Sequence, residues 1–243
     1  MMIFLEPGME CDEVVNELIL HDYQEEFCLS TSFDPGFIRS LMNAGFLVMS
    51  FKHENDVILL PKLHLERSIL FFKNLHVSKS VKGLLPRYIL KPYDSVYSIM
   101  EACVAAHGDE WLTKPLRDAL CNLAWPPVSI RNEHRYAASP QNRIFCIAFG
   151  LYRDTMLVSG EFGVVAGRVY TSYSGFYKEK SSGTVQMVLT ARFLEAKGYA
   201  FWDLGMPLEY KSRLGAIELD RKTFIQTFRE ARELRPVLPH SEP

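Results

Sequence analysis

The stretch Gly163-Val-Val-Ala-Gly-Arg-Val-Tyr170 begins the run of sequence that decides the fold of this chain. It is typical of a hairpin, and Phe201-Trp-Asp-Leu-Gly205 further on is typical of a short strand that ends in a carboxylate. Between them, Ser182 to Lys197 carries apolar residues at helical spacing, and Gly198 supplies the stop that predicts the end of a helix. A hairpin, a helix and a strand in this order predict a sheet-and-helix unit, and therefore an α+β fold.

The composition is that of an ordinary globular protein. The 243 residues are 48% apolar and 23% charged, and the formal charge is −2, so any nucleic-acid partner must meet a local basic patch. The five cysteines form no Cys-x-x-Cys pair, which favours buried thiols in a reducing cytoplasm over disulfides or a zinc site. The sequence shows no signal peptide and no apolar run of about 18 residues, so we expect a cytosolic protein.

Further elements are expected along the chain. Asp34 to Gly45 has a capping aspartate, a proline at the first helical position and a terminal glycine, which together predict a helix. Two apolar runs, 46–51 and 57–60, suit a hairpin that turns at Asn55-Asp56. The other expected elements are a short helix capped by Ser78, helices over 93–106, 114–124 and 220–234, strands over 143–152, 156–159, 164–170 and 199–203, an exposed loop over 126–141 and a loose tail after residue 235.

Asp203 is the strongest candidate for chemistry. Strand alternation gives it one face with Tyr199 and Phe201, and a carboxylate among aromatic rings is costly to bury unless it is paired or used. It could accept a proton from an attacking amine, or orient that amine, at the floor of a cleft. It could equally cap the loop 204–207 or pair with Arg213, because structural ion pairs are common.

Two weaker features each have two interpretations. Lys79, Lys82 and Arg87 form a basic cluster in which the two lysines share a helix face, suited either to nucleic-acid phosphates or simply to solvent. Trp111 follows an expected turn between helices, where it could stack on a base or plug the core.

The opening of the clearest helix, Ser181-Ser-Gly-Thr184, offers backbone amides to an anion, although Ser181 or Ser182 could be an ordinary N-cap. Other classes of site have no support in the sequence. The histidines show no metal-ligand spacing, and there is no Gly-x-Ser-x-Gly elbow, Walker loop or dinucleotide fingerprint. None of the cysteines lies in the recognisable setting of a nucleophile, although one is not excluded. We therefore expect no metal and no bound cofactor.

Taken in order, these pieces resemble the leucyl/phenylalanyl-tRNA–protein transferase family. The segment His76-Val-Ser-Lys-Ser-Val-Lys82, for example, is similar to the family's His-Val-Ser-Arg-Ser-Met-Lys. The other segments that carry the resemblance are Asn43-Ala-Gly-Phe-Leu47, Leu59-Leu-Pro61, Glu66-Arg-Ser-Ile-Leu70, Glu110-Trp-Leu-Thr113, Gly163-Val-Val-Ala-Gly167, Ser174-Gly-Phe-Tyr177 and Leu214-Gly-Ala216. Their order and spacing, collinear over roughly residues 30 to 230, are more specific than any single motif.

The resemblance implies a two-domain enzyme. A smaller N-terminal α/β domain would cover residues 1–75, and residues 76–243 would form a domain like the GCN5-type N-acetyltransferase fold, with a mixed sheet and flanking helices. Members of the family move an amino acid such as leucine or phenylalanine from aminoacyl-tRNA to the N-terminal amine of a protein that begins with lysine or arginine. The product is a degradation signal of the N-end rule. The implied partners are charged tRNA and an acceptor protein, and the implied state is a monomer with no membrane contact.

The resemblance also implies roles for particular residues. Asp203 would match the active-site aspartate, and Tyr173 would lie near the ester. The aminoacyl-adenosine pocket would contain Met49, Trp111, Tyr170, Phe176 and Trp202, and the acceptor stem would meet Lys79, Lys82 and Arg87.

Three departures from the family pattern concern the same region. This chain has Tyr173 where the family has a catalytic glutamate, Gly205 where it has glutamine, and Met49 where it has tryptophan. A tyrosine can donate a hydrogen bond to a developing oxyanion, but it does not accept a proton at neutral pH as a carboxylate does. Two other functions therefore stay open: an acyltransferase with a different donor, such as acyl-coenzyme A, and a non-catalytic module that binds tRNA or degrons.

Overall fold

A computed structural model describes residues 2–54, 56–125 and 144–235. Its helices are α1 Cys11–Leu20, α2 Pro35–Ala44, α3 Lys79–Leu84, α4 Val96–His107, α5 Lys114–Asn122, α6 Ser182–Ala196, α7 Glu209–Leu214 and α8 Arg221–Arg232, with 3-10 turns at Phe72–Asn74 and Leu85–Arg87. Its strands are β1 Leu47–His53, β2 Asp56–Lys62, β3 Glu66–Leu70, β4 Ile89–Pro92, β5 Ile144–Arg153, β6 Met156–Ala166, β7 Val169–Tyr177, β8 Phe201–Asp203 and β9 Ile217–Asp220.

Seven of these strands form one mixed sheet in the order β4-β5-β6-β7-β8-β3-β9, and β1 and β2 form a separate hairpin. Within the large sheet β7 and β8 are parallel, and the other neighbouring pairs are antiparallel. Parallel neighbours need a crossover connection, which α6 provides between β7 and β8. The predicted hairpin–helix–strand unit and the α+β fold class are therefore confirmed.

Local capping explains why the predicted helices begin and end where they do. Asp34 accepts a hydrogen bond from the amide of Phe37 at 2.8 Å, and Gly45 ends α2 with a φ of +104°. Ser78 accepts from the amide of Val81 at the start of α3, as expected. Asp220 accepts from the amide of Thr223 and so begins α8.

Both faces of the large sheet are buried, because alternate residues of the central strands enter different apolar clusters. On β5, Ile144 and Cys146 pack with α2, α4, α5 and α8, and we call this side the first face. Phe145 and Ile147 pack with α6 on the opposite side, the second face. The near-continuous apolar spelling of β5 follows from this double burial.

The meander differs from its prediction between residues 156 and 177. One strand, β6, replaces the expected pair over 156–159 and 164–170, and β7 begins only after a turn at Gly167. Gly163 misleads a reading of the sequence, because glycine weakens a strand. In the structure its missing side chain is required, since a Cβ there would lie 2.2 Å from the carbonyl oxygen of Thr171.

A β-bulge interrupts the pairing of β6 with β7. Phe162 pairs with Ser174 and Gly163 pairs with Ser172, so Tyr173 is the additional residue on β7. A bulge re-aims the side chains that follow it and bends the strand. This bulge was not predicted from the sequence, and it determines the direction of the Tyr173 side chain.

The predicted division at residue 75 stays a prediction. One fact bears on where such a boundary could fall: β3, on the N-terminal side of that line, pairs with both β8 and β9 inside the large sheet. The expected loop over 126–141, the Asn55 half of the hairpin turn and the tail after residue 235 lie outside the described residues. Among the helices that are described, none combines the length and apolar character needed to cross a membrane.

Candidate functional site

A cavity of about 620 Å³ opens where β7 and β8 part. Pairing between these parallel strands stops at Thr171 and Asp203, and β7 continues to Tyr177 without β8 beside it. Residues of this continuing half of β7 line one side of the cavity, the start of α6 lines another, and Trp202, Leu204, Tyr210 and Lys211 line the far side. The cavity is therefore a consequence of the sheet topology.

Glu161 on β6 is the one carboxylate among the described residues that line this cavity. Its side chain is 8% exposed, and its Oε2 accepts a hydrogen bond from the hydroxyl of Ser172 at 2.9 Å. Its Oε1 is buried and has no hydrogen-bond partner within the described part of the chain. Burial raises the pKa of Glu161 to about 7, against the opposing effect of the nearby hydroxyls of Ser172 and Thr190. Near neutral pH this carboxyl group can therefore both take up and release a proton.

Ser172 connects Glu161 to the wall of the cavity. The indole nitrogen of Trp202 donates to the Ser172 hydroxyl oxygen at 2.7 Å, and that hydroxyl donates onward to Glu161. Trp202 itself is fully buried and lies on the second face. Because the serine hydroxyl has a single proton, the indole donor fixes its direction toward the carboxylate.

Lys211 closes the cavity wall opposite β7. Its ammonium group donates to the backbone carbonyls of Leu204 and Met206 at 2.6 and 2.7 Å, so it holds the loop that follows β8. The pKa of Lys211 is lowered to about 8, chiefly by burial; the charge of Asp203 opposes this shift and the charge of Arg67 adds to it. Two of its three ammonium protons therefore bond to the loop.

Asp203 does not line this cavity, and its expected position on the floor of a cleft stays a prediction. The side chain is completely buried, is absent from the cavity lining and forms a bidentate ion pair with Arg67, at 2.8 Å to Nε and 2.7 Å to Nη2. Thr171 and the amide of Gly205 donate to it as well, both at 2.9 Å. A proton acceptor needs a free oxygen that faces the substrate, and neither carboxylate oxygen of Asp203 is free.

Of the two structural alternatives for Asp203, one is confirmed and one is wrong. The hydrogen bond from Gly205 caps the loop after β8, as expected. The cation is Arg67, whereas Arg213 pairs with Glu209 on the surface of α7. Nor does Tyr199 share a face with Asp203 and Phe201, because it precedes the strand and packs in the cluster of the second face.

Three of the predicted pocket and active-site residues do line the cavity: Tyr173, Phe176 and Trp202. The hydroxyl of Tyr173 accepts a hydrogen bond from the amide of Val48 on β1 at 3.1 Å, so the bulged residue also attaches the β1–β2 hairpin to the sheet. Burial raises the pKa of Tyr173 well above its ordinary value, so this hydroxyl stays protonated.

The other three predicted pocket residues do not line this cavity. Tyr170 is fully buried in the core, with its ring near those of Phe149 and Trp202. Met49 lies on β1, and Trp111 lies between α4 and α5, where its carbonyl accepts from the amide and hydroxyl of Ser50. Met49 and Trp111 therefore lie near each other, on the side of Tyr173 that contacts the β1–β2 hairpin.

The basic cluster of Lys79, Lys82 and Arg87 lies on α3 and the 3-10 turn after it, and all three side chains are exposed. Helix α3 packs beside α6, the helix whose start lines the cavity. Tyr88, which follows Arg87, donates a hydrogen bond to the carboxylate of Glu179 at 3.3 Å. Lys180, which follows Glu179, is part of the cavity lining. The cluster is therefore continuous with one edge of the cavity.

The start of α6 is not capped as expected. Ser181 occupies the N-cap position with a φ of +69° and makes no capping hydrogen bond, and the hydroxyl of Ser182 donates to carbonyl oxygens of Glu179 and Val158. The prediction of an ordinary serine cap is wrong. Ser181, Gly183 and Thr184 at this end of the helix line the cavity.

The five cysteines are free thiols. Burial raises the pKa of Cys103 to about 12 and that of Cys11 and Cys28 to about 11, so these groups are poor nucleophiles at neutral pH. None of the described residues forms a group of three His, Cys, Asp or Glu side chains that could hold a metal ion.

Sequence reasoning missed Glu161 for an identifiable reason. Dividing β6 at its glycines placed Glu161 between two strands, where an acidic residue needs no explanation. A signal was nevertheless available: a glutamate flanked by Gly160 and Phe162 within an otherwise apolar stretch is costly to bury without a role.

Comparison with known proteins was made by sequence and by structure. A sequence profile described as leucyl/phenylalanyl-tRNA protein transferase matches residues 69–229. Curated proteins named leucyl/phenylalanyl-tRNA–protein transferase are similar: the one from Pseudomonas entomophila is 28% identical over 163 residues, which is 65% of each chain. The one from Zymomonas mobilis is 21% identical over 210 residues, which is 84% of this chain and 71% of that protein. This chain thus aligns to only about 65% of the length of the first of these relatives.

Solved structures give weaker matches. One titled as the structure of L-PGS from Bacillus licheniformis has a TM-score of 0.41 at 12% identity, over 91% of this chain and 78% of that one. A GCN5-related N-acetyltransferase from Kribbella flavida has a TM-score of 0.38 at 13% identity, over 88% and 74%. Both TM-scores lie below 0.5, the level at which a shared fold could be argued from them. The profile match, in contrast, covers well over half of the chain and includes all of the large sheet except residues 66–68 of β3, so the chain belongs to the leucyl/phenylalanyl-tRNA–protein transferase family.

Proposed function

We propose that this protein transfers an amino acid from charged tRNA to the N-terminal amine of an acceptor protein. The observation that carries the proposal is the cavity between β7 and β8, which is built from the segment that matches the family and is continuous with an exposed basic cluster. A donor with a small acyl group on a large polyanion needs this combination of a pocket and an adjacent basic surface.

The reaction asks little of the protein beyond binding and orientation. The aminoacyl ester is already activated, so the enzyme must hold the ester carbonyl next to the amine, exclude water and move one proton. Phe176 and Trp202, both almost completely buried, form aromatic parts of the cavity wall against which the aminoacyl-adenosine end of the tRNA would pack, and the neutral hydroxyl of Tyr173 lies at the same cavity.

The remaining predicted residues have supporting roles in this proposal. Lys79, Lys82 and Arg87 would contact phosphates of the acceptor stem, because they are exposed cations beside the cavity-lining helix α6. Asp203 is a positioning residue: through Arg67 and Gly205 it fixes the end of β8 and hence Trp202. Met49, Trp111 and Tyr170 do not line the cavity, and they would support the residues that do.

We extend the proposal to the finer properties implied by the family. The transferred residue would be leucine-like or phenylalanine-like, the acceptor would begin with lysine or arginine, and the product would enter the N-end rule pathway in the cytoplasm. The protein would act as a monomer without a metal or cofactor.

The test uses the purified protein, pooled charged tRNAs and a peptide that begins with lysine or arginine. We expect the peptide to gain the mass of one aminoacyl residue by mass spectrometry. The same peptide with an acetylated N-terminus should stay unchanged, because the attacking amine is blocked. Absence of product with every charged tRNA would contradict the proposal. Tight binding of coenzyme A without tRNA affinity would then favour the alternative donor, and salt-sensitive tRNA binding without product would favour the non-catalytic module.

The tRNA surface can be tested separately from the chemistry. Replacing Lys79 and Lys82 by glutamine should weaken tRNA binding and reduce its salt dependence by roughly one unit of log–log slope for each lysine. Lys222→Gln on α8 is the matched control, since Lys222 is also an exposed helical lysine but lies outside the cluster. If the double variant and the control showed the same salt dependence of tRNA binding, the basic cluster would not be a tRNA-binding surface.

A further inference from the structure

We propose that Glu161 is the catalytic residue that accepts the proton of the attacking amine. This inference rests on the transfer reaction proposed above and deepens it by assigning the proton acceptor to Glu161, a residue that neither the sequence pattern nor the comparisons single out. Geometry comes first: Glu161 lines the cavity from β6, opposite the part of β7 that has separated from β8.

One carboxylate oxygen of Glu161 has a hydrogen-bond partner and the other has none within the described part of the chain. Ser172 donates to Oε2, and the Trp202 indole fixes the orientation of that hydroxyl. Oε1 is buried and makes no hydrogen bond within the described part of the chain, and the hydroxyl of Thr190 on α6, which lies close enough to lower the pKa of Glu161, is also without a partner. A buried carboxylate oxygen without a partner is unusual, because desolvation without a hydrogen bond costs free energy. Gly175, directly opposite on β7, leaves space beside this side chain, since a Cβ there would lie 3.1 Å from the Cβ of Glu161. An incoming amine would supply the missing donor.

The ionisation of Glu161 suits a proton acceptor. Its pKa of about 7 lies close to the ordinary pKa of an N-terminal amine, about 7.7 to 8.0, so a proton can move between the two groups at little cost. The titratable groups that interact with it are Cys103 on α4, Tyr170 on β7 and Tyr210 on α7, and the pKa of each is raised, so all three are neutral at pH 7. The charged groups that share its cavity are Lys180 and Lys211, both cations.

The other polar groups near the cavity do not fit this role. Asp203 has both oxygens engaged by Arg67, Thr171 and Gly205. Lys211 has a pKa of about 8 and is therefore mainly protonated at neutral pH, and an ammonium group has no lone pair with which to accept a proton. The hydroxyl of Tyr173 stays protonated. Among the described residues that line the site, Glu161 is the one carboxylate, and its Oε1 has no hydrogen-bond partner.

The neutral amine nitrogen bonds to the ester carbonyl carbon, and the carbonyl electrons move onto oxygen. The nitrogen passes one proton to Oε1 of Glu161. The carbonyl then re-forms, the bond from carbon to the tRNA ribose oxygen breaks, and the proton held by Glu161 passes to that ribose oxygen. The products are an amide and a free tRNA hydroxyl, and Glu161 returns to its starting state.

The experiment measures the single-turnover rate of transfer from charged tRNA to a lysine-starting peptide, from about pH 5.5 to pH 9, across the range in which Glu161 and the amine titrate. The wild type is compared with Glu161→Gln, which keeps size and can still accept the Ser172 hydrogen bond. We expect the variant to lose about 10²- to 10⁴-fold in rate and to lose the rise in rate near pH 7. The rise due to the amine should persist in both proteins, because they share the acceptor peptide.

Two further variants serve as controls for the role of the Glu161 carboxylate. Glu218→Gln removes an exposed carboxylate on β9 and should keep the wild-type rate and pH profile. Glu161→Ala should recover part of its rate when formate is added, because a small carboxylate can enter the vacated space and accept the proton. Thermal melting of each variant shows whether the fold is intact.

The two proposals fail in different ways. If the wild type transfers and folded Glu161→Gln transfers within about threefold of it with the same rise near pH 7, Glu161 is not the proton acceptor while the function stands. If folded Glu161→Ala is slow but formate does not restore it and Glu161→Gln retains the low-pH rise, the role is also overturned. If the wild type transfers from no charged tRNA, the proposed function fails and takes this inference with it.

Discussion

Two buried carboxylates lie on neighbouring parts of the same sheet, and they differ in almost every other respect. Asp203 on β8 is completely buried and accepts four hydrogen bonds, two of them from Arg67. Glu161 on β6 is 8% exposed and accepts one, from Ser172. Asp203 lies with Arg67 and Phe224 on the first face, whereas Glu161 lies at the cavity beside α6.

The contrast shows that burial alone does not identify a functional acid. A buried charge whose hydrogen-bonding capacity is fully met holds the structure together, because removing it leaves a charged partner without compensation. A buried acid with an unmet acceptor atom beside a cavity carries a cost that binding of a donor can offset. Asp203 and Glu161 are the two cases.

The largest effect on stability is expected from Asp203→Ala. The buried guanidinium of Arg67 would lose its partner, and the free energy of unfolding should fall by about 3 to 5 kcal/mol, as for other broken buried pairs. Urea unfolding measures the change. Asp220→Ala gives the scale, because it removes only an exposed helix cap and should cost about 1 kcal/mol. If Asp203→Ala were as stable as Asp220→Ala and yet transferred no amino acid, Asp203 would have a catalytic role.

The substitution Glu161→Gln is expected to raise the free energy of unfolding, the opposite of Asp203→Ala, and to do so in a pH-dependent way. The pKa of Glu161 is raised from 4.5 to about 7 in the folded protein, so its favourable contribution is fully present below about pH 4.5 and is lost as the pH rises through 7. Relative to the wild type, the variant should therefore gain stability between pH 5 and pH 8, by at most about 3 kcal/mol for a shift of this size. Urea unfolding at several pH values measures it. A difference independent of pH would mean that Glu161 is not titrating in this range.

A smaller shift is expected from Ser172→Ala, which removes the hydrogen bond to the ionised form of Glu161. The pH at which wild-type stability and transfer rate change near 7 should move upward by roughly one unit, since a hydrogen bond to a charged group is worth about 1.5 kcal/mol. Ser174→Ala is the matched control, because Ser174 is on the same strand and lines the same cavity. Equal midpoints in the two variants would show that Ser172 does not influence the carboxylate.

Local chemistry explains which elements were predictable. The ends of α2, α3 and α8 follow from the side chains of Asp34, Ser78 and Asp220, each of which bonds an amide within its own helix. The start of α6 was not predictable in the same way, because both hydroxyls there were equally suited to capping and the chosen backbone at Ser181 has a positive φ.

Strand contacts between distant residues explain what was not predictable. The cation beside Asp203 comes from β3, 136 residues earlier in the chain, and sequence spacing favoured the nearby Arg213. The bulge at Tyr173 depends on the pairing of β7 with β6, which no single strand records.

The sequence by itself determined the α+β class, the hairpin–helix–strand unit and the membership of the family, because these depend on periodicity, capping residues and the order of short segments. Only the tertiary structure decided which acid meets the cavity. A strand turns successive side chains to opposite faces, so the partners of Asp203 and the open space beside Glu161 both depend on which strand lies next to which and where that pairing ends.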